Sequence, residues 1–308
     1  MNVVHRFYLP IIENSNTFTS SNDMTMKKLF YLIILIYSLP MAAKISPPEK
    51  QALIRFYEAT NGLQWTIPWN LYAPVETWHG INIENDKVTG LNLAGNNLSG
   101  FLPSDIGNLV HLRQLNLFNN SLAGAIPLSI GKLQALASLN LAFNKLSGRI
   151  PETIVNATAL ISIELHMNML SGALPSEIGK LQRLETLSLY NNEIRGSIPT
   201  TLYDLRELRV LLLNSNRLTG TLSNRISNLR SLENLSLFEN SLDGEVPVEL
   251  QQLDHLIEMN ISYNNFTGAA SNYLSKLDAF NLTMLNEQGV AVLLKGQTEQ
   301  YGELVDEE

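Results

Sequence analysis

Histidine and cysteine, the side chains that most often bind metals or act as nucleophiles, are sparse in this chain. There is no cysteine, which excludes disulfides, zinc–thiolate sites and a thiol nucleophile. No two histidines have the spacing of a metal-ligand pair, such as the His-x-x-x-His of a helical zinc site. The sequence therefore predicts no metal site and no cofactor. The five histidines are His5, His79, His111, His166 and His255.

Two carboxylates, Glu164 and Glu185, have residue types that a glycosidase uses, because such enzymes place two acidic side chains across a sugar bond. That reaction also needs an enclosed pocket that raises the pKa of the acid. Both residues lie in a repeating pattern that predicts an open sheet, which offers no such pocket. The sequence has no glycine-rich phosphate-binding loop either. We therefore expect a protein that is not an enzyme.

A third set of side chains is suited to binding. Four aromatic or imidazole rings are separated from one another by multiples of 24 residues, and apolar and acidic residues lie beside them. Clustered aromatic side chains with polar neighbours suit a protein partner or a sugar ring. The candidate ligand-binding residues are Phe118, Phe143, His166, Met167, Tyr190, Glu164 and Phe238.

The 24-residue spacing extends over most of the chain. The segment LNLAGNNLSG, at residues 91–100, recurs as LNLFNNSLAG, LNLAFNKLSG and LSLYNNEIRG without any insertion. Such a period is the signature of a solenoid in which each repeat adds one turn. Residues 88–279 hold eight turns. Their repeated asparagines are Asn96, Asn120, Asn144, Asn168, Asn192, Asn216, Asn240 and Asn264.

The pattern within one turn predicts its structure. Leu91 and Leu93 alternate with polar or small residues, as in a short strand with one buried face. Stacked turns place these strands side by side in a parallel sheet. We expect the Asn96 amide to satisfy backbone groups of its own and the neighbouring turn, so that the eight asparagines form a structural ladder. Gly100 falls at a tight bend, and Pro103 follows a short second extended segment.

The predicted sheet decides which side chains face outward. Strand alternation places Phe118, His166 and Tyr190 on the solvent-facing concave side, where we expect them to contact a partner. The alternative is that these rings only pack against neighbours along the sheet. Acidic residues flank the rings and favour a polar or basic partner. These residues are Glu164, Glu185, Glu233, Glu239 and Glu258.

Repeats with the ending Gly-x-Ile-Pro, such as GAIP and GSIP, resemble the plant-specific subfamily of leucine-rich-repeat proteins. The resemblance covers residues 47–280. It implies an α/β fold: a right-handed solenoid, or horseshoe, with a parallel β-sheet on the concave face, about eight 24-residue repeats and a cap at each end. The segment QALIRFYEATNGLQW resembles the family's capping helix, and WHGI at residues 78–81 its Trp-x-Gly-Val segment. Glu76 and Ile83 stand where the plant cap has cysteines, so the chain is most similar to cysteine-free secreted bacterial members.

The first part of the chain carries a targeting pattern. Two lysines precede an apolar run of 11 residues, Leu29–Leu39, and small residues follow it, as in a secretory signal peptide. A signal anchor is the alternative, although a bilayer span needs roughly 20 apolar residues. The predicted organisation is a non-native or disordered leader (1–25), a signal peptide (26–43), an N-terminal helical cap (44–87), eight repeats (88–279), and a C-terminal cap with an acidic tail (280–308).

Composition and charge narrow the function. The net charge is −8 at pH 7, which argues against nucleic acid as a partner because phosphate binding needs a basic face. We expect a secreted or extracytoplasmic protein, in the periplasm or at the cell surface, with no membrane span in its mature chain. Its predicted function is to bind a protein or peptide through the concave face. The alternatives are a carbohydrate-binding or cell-surface adhesion protein, or an inhibitor of a secreted enzyme.

Overall fold

The computed structural model describes residues 45–267, so the predicted leader, signal peptide and C-terminal cap lie outside the described residues. Within this range the chain forms one α-helix, α1 (Pro47–Ala59), followed by short strands that alternate with 3₁₀ helices. The 3₁₀ helices are Gly62–Gln64, Val75–Thr77, Ser104–Asn108, Leu128–Lys132, Glu152–Asn156, Ile178–Lys180, Thr200–Asp204, Asn224–Asn228 and Val248–Gln252.

The strands of the described range are three to six residues long. In chain order they are β1 (Ile81–Glu84), β2 (Lys87–Asn92), β3 (Ser99–Phe101), β4 (Gln114–Asn116), β5 (Ser121–Gly124), β6 (Ser138–Asn140), β7 (Lys145–Arg149), β8 (Ser162–Glu164), β9 (Met169–Gly172), β10 (Thr186–Ser188), β11 (Glu193–Gly196), β12 (Val210–Leu212), β13 (Arg217–Thr221), β14 (Asn234–Ser236), β15 (Ser241–Glu245), β16 (Glu258–Asn260) and β17 (Asn265–Thr267).

A nine-stranded sheet runs along the concave face in the order β1-β2-β4-β6-β8-β10-β12-β14-β16. From β2 onward all pairs are parallel, and each residue lies opposite the residue 24 positions later, as Leu115 does with Leu139. β1 adds to the edge in the antiparallel direction. This arrangement confirms the predicted solenoid. Its register follows directly from the unbroken period, because an insertion in any turn would shift that turn against its neighbours.

The second extended segment of each turn forms a sheet of its own. Its eight strands lie in the order β17-β15-β13-β11-β9-β7-β5-β3. Each repeated glycine in this sheet has a positive φ, for example 88° at Gly100. A Cβ atom on Gly100 would lie 2.2 Å from the carbonyl oxygen of Ala59, at the end of α1. The first of these glycines therefore allows the repeats to pack closely against the helix.

The core lies between the two sheets and the 3₁₀ helices. Every turn contributes a set of fully or almost fully buried aliphatic side chains, so the core is continuous along the solenoid. A single turn has too little apolar surface of its own to enclose such a core, so its stability depends on its neighbours. In the second turn these side chains are Leu112, Leu115, Leu117, Leu122, Ile126, Ile130 and Leu133.

Hydrogen bonds from asparagine side chains join the turns, as Asn144 illustrates. Its Nδ2 donates to the carbonyl oxygens of Leu117, Leu141 and Ala142 at 3.0, 3.0 and 3.2 Å. Its Oδ1 accepts from the Leu122 amide at 3.0 Å. The asparagine thus bonds backbone groups of its own turn and of the preceding turn. The same bonding set recurs at Asn120, Asn168, Asn192, Asn216, Asn240 and Asn264.

The segment before the first repeat has a core of its own, made of aromatic rings. Trp69 lies at its centre, 4.8 Å from Trp65 and 4.9 Å from Trp78 between ring centroids. Phe56 and Tyr57 of α1 pack on the same ring at 6.3 and 5.7 Å. All five rings are buried. This ring cluster holds α1 to the chain that leads into the first repeat without any cysteine.

Candidate binding surface on the concave sheet

The concave face presents side chains in straight columns. In each strand the central residue points into the core, as Leu115 does, while the residues on either side of it are less buried. Backbone hydrogen bonds continue past the strands, so that Gly95 N donates to Phe118 O at 2.8 Å and Asn119 N to Ala142 O at 3.0 Å. Residues that are 24 positions apart therefore lie next to one another well beyond the strand ends.

Four rings of the candidate site form a continuous group on this face. Phe118 contacts Phe143 edge to face, with centroids 5.3 Å apart. Phe143 contacts His166 in the same way at 5.5 Å, and His166 stacks on Tyr190 at 4.3 Å with the planes only 13° apart. We call Phe118, Phe143, His166 and Tyr190 the aromatic column. It spans the second to the fifth turn.

The prediction that His166 faces solvent is wrong. Its side chain is only 8% exposed, because Tyr190 covers one ring face and Phe143 packs its ring from the preceding turn. Its Nδ1 lies 3.1 Å from the hydroxyl of Ser188. The other three members are partly or well exposed, Phe143 most clearly at 38%. The alternative interpretation, in which the rings pack along the sheet, therefore describes His166 correctly.

The environment of the column alters two pKa values. Burial lowers the pKa of His166, and the nearby carboxylate of Glu164 opposes this effect in part. Burial also raises the pKa of the Tyr190 phenol, and Glu164 adds to that shift. Both rings are therefore neutral at pH 7, and both respond to the charge of the same carboxylate.

Phe143 and Met167 occupy a backbone conformation that the sequence did not predict. Their φ angles are 54° and 55°, in the left-handed region that bulky residues avoid. The equivalent residue of every other turn is also left-handed, so the strain belongs to the fold and does not by itself mark a site. In the sequence, glycine or asparagine at three of these positions is the feature that indicates a left-handed conformation. The full series is Gly95, Asn119, Phe143, Met167, Asn191, Ser215, Glu239 and Tyr263.

Phe238 does not join the aromatic column. It pairs instead with Tyr263 of the eighth turn at 5.0 Å, and Asn214 occupies the intervening position of its own column. The concave sheet has an open depression at the strands of the sixth, seventh and eighth turns, which the sequence did not single out. Its lining residues are Leu212, Asn234, Leu235, Ser236, Glu258, Met259 and Asn260.

The acidic residues near the site differ in their partners. Glu164 accepts hydrogen bonds from Asn140 Nδ2 at 3.1 Å and from the Ser162 hydroxyl at 3.2 Å. Glu233 forms an ion pair with Arg209, at 3.1 Å. Glu239 accepts from the Ser215 hydroxyl. The remaining two, Glu185 and Glu258, lie towards the opposite ends of the strands from the aromatic column.

Within residues 45–267 no group of three or more acidic, histidine or cysteine residues could hold a metal ion. No helix in the same range has the length and apolar character needed to cross a bilayer. Glu164 and Glu185 lie on an open sheet surface in neighbouring turns. The geometry of this face suits contact with another molecule.

Comparison with known proteins agrees with the fold. Residues 87–109, 111–133 and 135–157 match the sequence-family model "Leucine Rich Repeat", and residues 164–290 match "Leucine-rich repeat region". The leucine-rich repeat protein FLOR 1 of Arabidopsis thaliana is 31% identical over 86 residues, which are 28% of this chain and 26% of that protein. The chain thus spans about a quarter of that relative.

Solved structures with the same architecture include plant receptors. The ectodomain of the Arabidopsis thaliana receptor kinase GASSHO1/SCHENGEN3, in complex with CASPARIAN STRIP INTEGRITY FACTOR 2, has a TM-score of 0.71 and 29% identity, over 77% of this chain and 29% of that chain. PEPR1 with AtPEP1 has a TM-score of 0.67 and 27% identity, over 75% and 37%. The plant peptide hormone receptor RGFR1 with RGF2 has a TM-score of 0.59 and 31% identity, over 63% and 31%.

The repeat matches, the relative and the shared architecture all point to one family. Together the matches of the two family models contain every strand of the concave sheet in full except β1 and β8. The chain is therefore a leucine-rich-repeat protein.

Proposed function

We propose that this chain is a non-enzymatic binding module that recognises a peptide or protein through the aromatic column. The observation that carries the proposal is a continuous run of four rings on an open face. The aliphatic core is complete without these rings, so packing of the solenoid does not require them. Partly exposed aromatic groups are the usual anchors of protein interfaces.

The solved structures support a peptide or protein as the partner. One of them is named as a plant peptide hormone receptor in complex with RGF2, and another as the ectodomain of a plant membrane receptor kinase in complex with CASPARIAN STRIP INTEGRITY FACTOR 2. A sugar would require freely exposed ring faces, whereas the rings of this column lie largely against one another. We therefore favour a peptide partner over a carbohydrate.

We propose further that the protein acts outside the cytoplasm and belongs to the plant-type subfamily with Gly-x-Ile-Pro repeats. The targeting pattern at Leu29–Leu39 supports export, and one matched structure is named as the ectodomain of a membrane receptor kinase. The cap supports the likeness to cysteine-free bacterial members, since Glu76 is exposed and a cluster of rings fills the cap core. The predicted division into leader, signal peptide, caps and repeats belongs to the same proposal.

The proposal is tested by selecting short random peptides, displayed on phage, against the immobilised full chain. Enriched peptides should lose affinity by roughly tenfold or more when Phe118, His166 and Tyr190 are all replaced by alanine, because hot-spot rings carry most of the binding energy. Surface plasmon resonance measures the change.

A matched control uses exposed apolar residues away from the concave sheet. Leu128 and Val248 lie on 3₁₀ helices and are 70% and 63% exposed, so Leu128→Ser and Val248→Ser should leave the affinity unchanged. If the control variants weaken binding as much as the triple variant, or if only glycans bind, the proposed function is wrong.

A further inference from the structure

The Glu164 carboxylate is fixed in place but has no counter-charge. Asn140 and Ser162 each donate one hydrogen bond to it, one to each carboxylate oxygen. Six ion pairs form between the residues described by the structure, and none of them includes Glu164. Each carboxylate oxygen can accept a further hydrogen bond. A fixed acceptor group of this kind is ready to receive a charged donor.

His166 provides a second and independent observation. The residue as a whole is 8% exposed. Nδ1 is engaged with Ser188, whereas Nε2 has no hydrogen-bond partner among residues 45–267. Yet Nε2 is not among the fully enclosed polar atoms that lack a partner; within the described residues only the Ser129 hydroxyl is. The unpartnered nitrogen therefore retains some accessibility to solvent.

The chemistry of these groups selects a basic ligand. When Nδ1–H donates to the Ser188 hydroxyl, Nε2 is left as an acceptor, so both His166 and Glu164 offer acceptors to an incoming donor. The stacked rings of His166 and Tyr190 lie beside these acceptors, and the planar guanidinium of arginine stacks on aromatic rings. A partly desolvated carboxylate gains most from a cation.

We propose that Glu164, His166 and Tyr190 form a subsite for a basic side chain, arginine or lysine, of a peptide partner. This inference rests on the proposed function, because it identifies what one part of the aromatic column recognises. The net charge of −8 on the whole chain favours the approach of such a peptide.

Acid should weaken this subsite. The charged or titratable groups that act on His166 are Glu164 on its own turn and the Tyr190 phenol on the next, and Phe143 on the preceding turn carries no charge. At neutral pH the subsite carries the single negative charge of Glu164. Protonation of His166 would cancel that charge and remove the Nε2 acceptor, so a basic ligand should bind less tightly at pH 5 than at pH 7.5.

The test uses nitrogen NMR of the full chain labelled at histidine, with N-acetyl-arginine methylamide as the probe. Its control is N-acetyl-citrulline methylamide, which has nearly the same shape and no charge. We expect the arginine probe to shift the His166 Nε2 signal saturably, and the citrulline probe to bind at least tenfold more weakly. The arginine probe should bind more weakly at pH 5 than at pH 7.5.

A matched pair of variants assigns the effect to one carboxylate. Glu164→Gln should abolish the shift, whereas Glu258→Gln, on the same sheet four turns away, should preserve it. Equal shifts with the two probes, or equal losses in the two variants, would overturn the subsite. If Glu164→Gln unfolds the protein, the comparison of the two probes on the unaltered chain still decides.

The two proposals can fail separately. Selected peptides that depend on the aromatic column but contain no basic residue would overturn this subsite and leave the proposed function intact. Selected peptides that do not depend on the column would overturn the proposed function, whatever the arginine probe shows.

Discussion

The segment before the first repeat and the repeats themselves are stabilised in different ways. In the first segment, four aromatic rings pack around the ring of Trp69, in a cluster that is not part of the 24-residue pattern. In the repeats, one asparagine per turn makes the same hydrogen bonds again and again. The stability of a cluster that occurs once depends on each of its side chains. In a repeated ladder, each turn gains the same stabilising hydrogen bonds.

Like the first segment, the aromatic column is made of aromatic rings that contact one another. The edge-to-face pair of Phe118 and Phe143 recurs at the equivalent positions Phe238 and Tyr263, whereas the stacked pair of His166 and Tyr190 occurs once among the described turns. Local, unrepeated packing within a periodic scaffold indicates a requirement other than stability of the scaffold. In a chain of identical repeats, the positions that depart from the repeat pattern therefore carry the information about binding.

The largest effect is expected at the centre of the ring cluster. Trp69→Ala should lower the free energy of unfolding by about 3–5 kcal/mol, because it removes a buried ring that contacts four others. Urea denaturation followed by circular dichroism measures this. Tyr72→Ala, at a fully exposed ring of the same segment, is the control and should change nothing. Equal effects of the two substitutions would mean that the cluster is not the source of stability.

A smaller effect is expected in the ladder. Asn168→Ala removes the donor to Leu141, Leu165 and His166 carbonyls and the acceptor for Leu146 N. The unpaired backbone groups should cost roughly 1–3 kcal/mol. Asn192→Ala, one turn further along, should cost the same amount, because its bonding set is equivalent. An unchanged urea midpoint in either variant would contradict the ladder role.

A still smaller effect concerns acid and His166. Because burial lowers the pKa of His166 from its ordinary value of 6.5, the unfolded chain takes up this proton before the folded chain does as the pH falls. Folding stability should therefore decline as the pH drops below about 6.5, and level off for this group below the folded pKa. His166→Asn should reduce that decline in urea midpoints between pH 7 and pH 5, while His255→Asn, at an exposed position, should not.

The smallest effect tests where the repeats begin. Gly95 has a φ of 62° with no atom within 4 Å of a Cβ placed on it, and asparagine occupies the equivalent left-handed position in two later turns. Gly95→Asn should therefore alter stability by less than about 0.5 kcal/mol. Thermal unfolding measures the change in stability. A larger loss of stability would show that the first turn, like the ring cluster, depends on the identity of its individual residues and is not equivalent to the later turns.

The sequence was sufficient to predict the scaffold. When no turn has an insertion, the 24-residue period of the sequence determines which residues lie opposite one another in neighbouring strands. Leu115, Asn144 and Gly100 could be placed for that reason. The burial of His166 could not, since it depends on how two neighbouring rings are oriented. The left-handed backbone at Phe143 was also missed, because its residue type argues against that conformation. For the second sheet, the sequence predicted an extended segment in each turn but not that these segments pair with one another.

The first asparagine of the ladder has no preceding repeat to bond. Asn96 bonds instead to Ile67, whose N–H donates to Oδ1 at 2.8 Å and whose carbonyl accepts from Nδ2 at 3.4 Å. The loop that contains Ile67 thus supplies the backbone donor and acceptor that a preceding turn would supply. Every later asparagine of the ladder bonds backbone groups of the turn before it in the same way. Interior turns are therefore interchangeable modules. Excision or duplication of one whole 24-residue unit leaves each donor facing its usual acceptor, so the length of the binding face can evolve in steps of one turn while both ends stay unaltered.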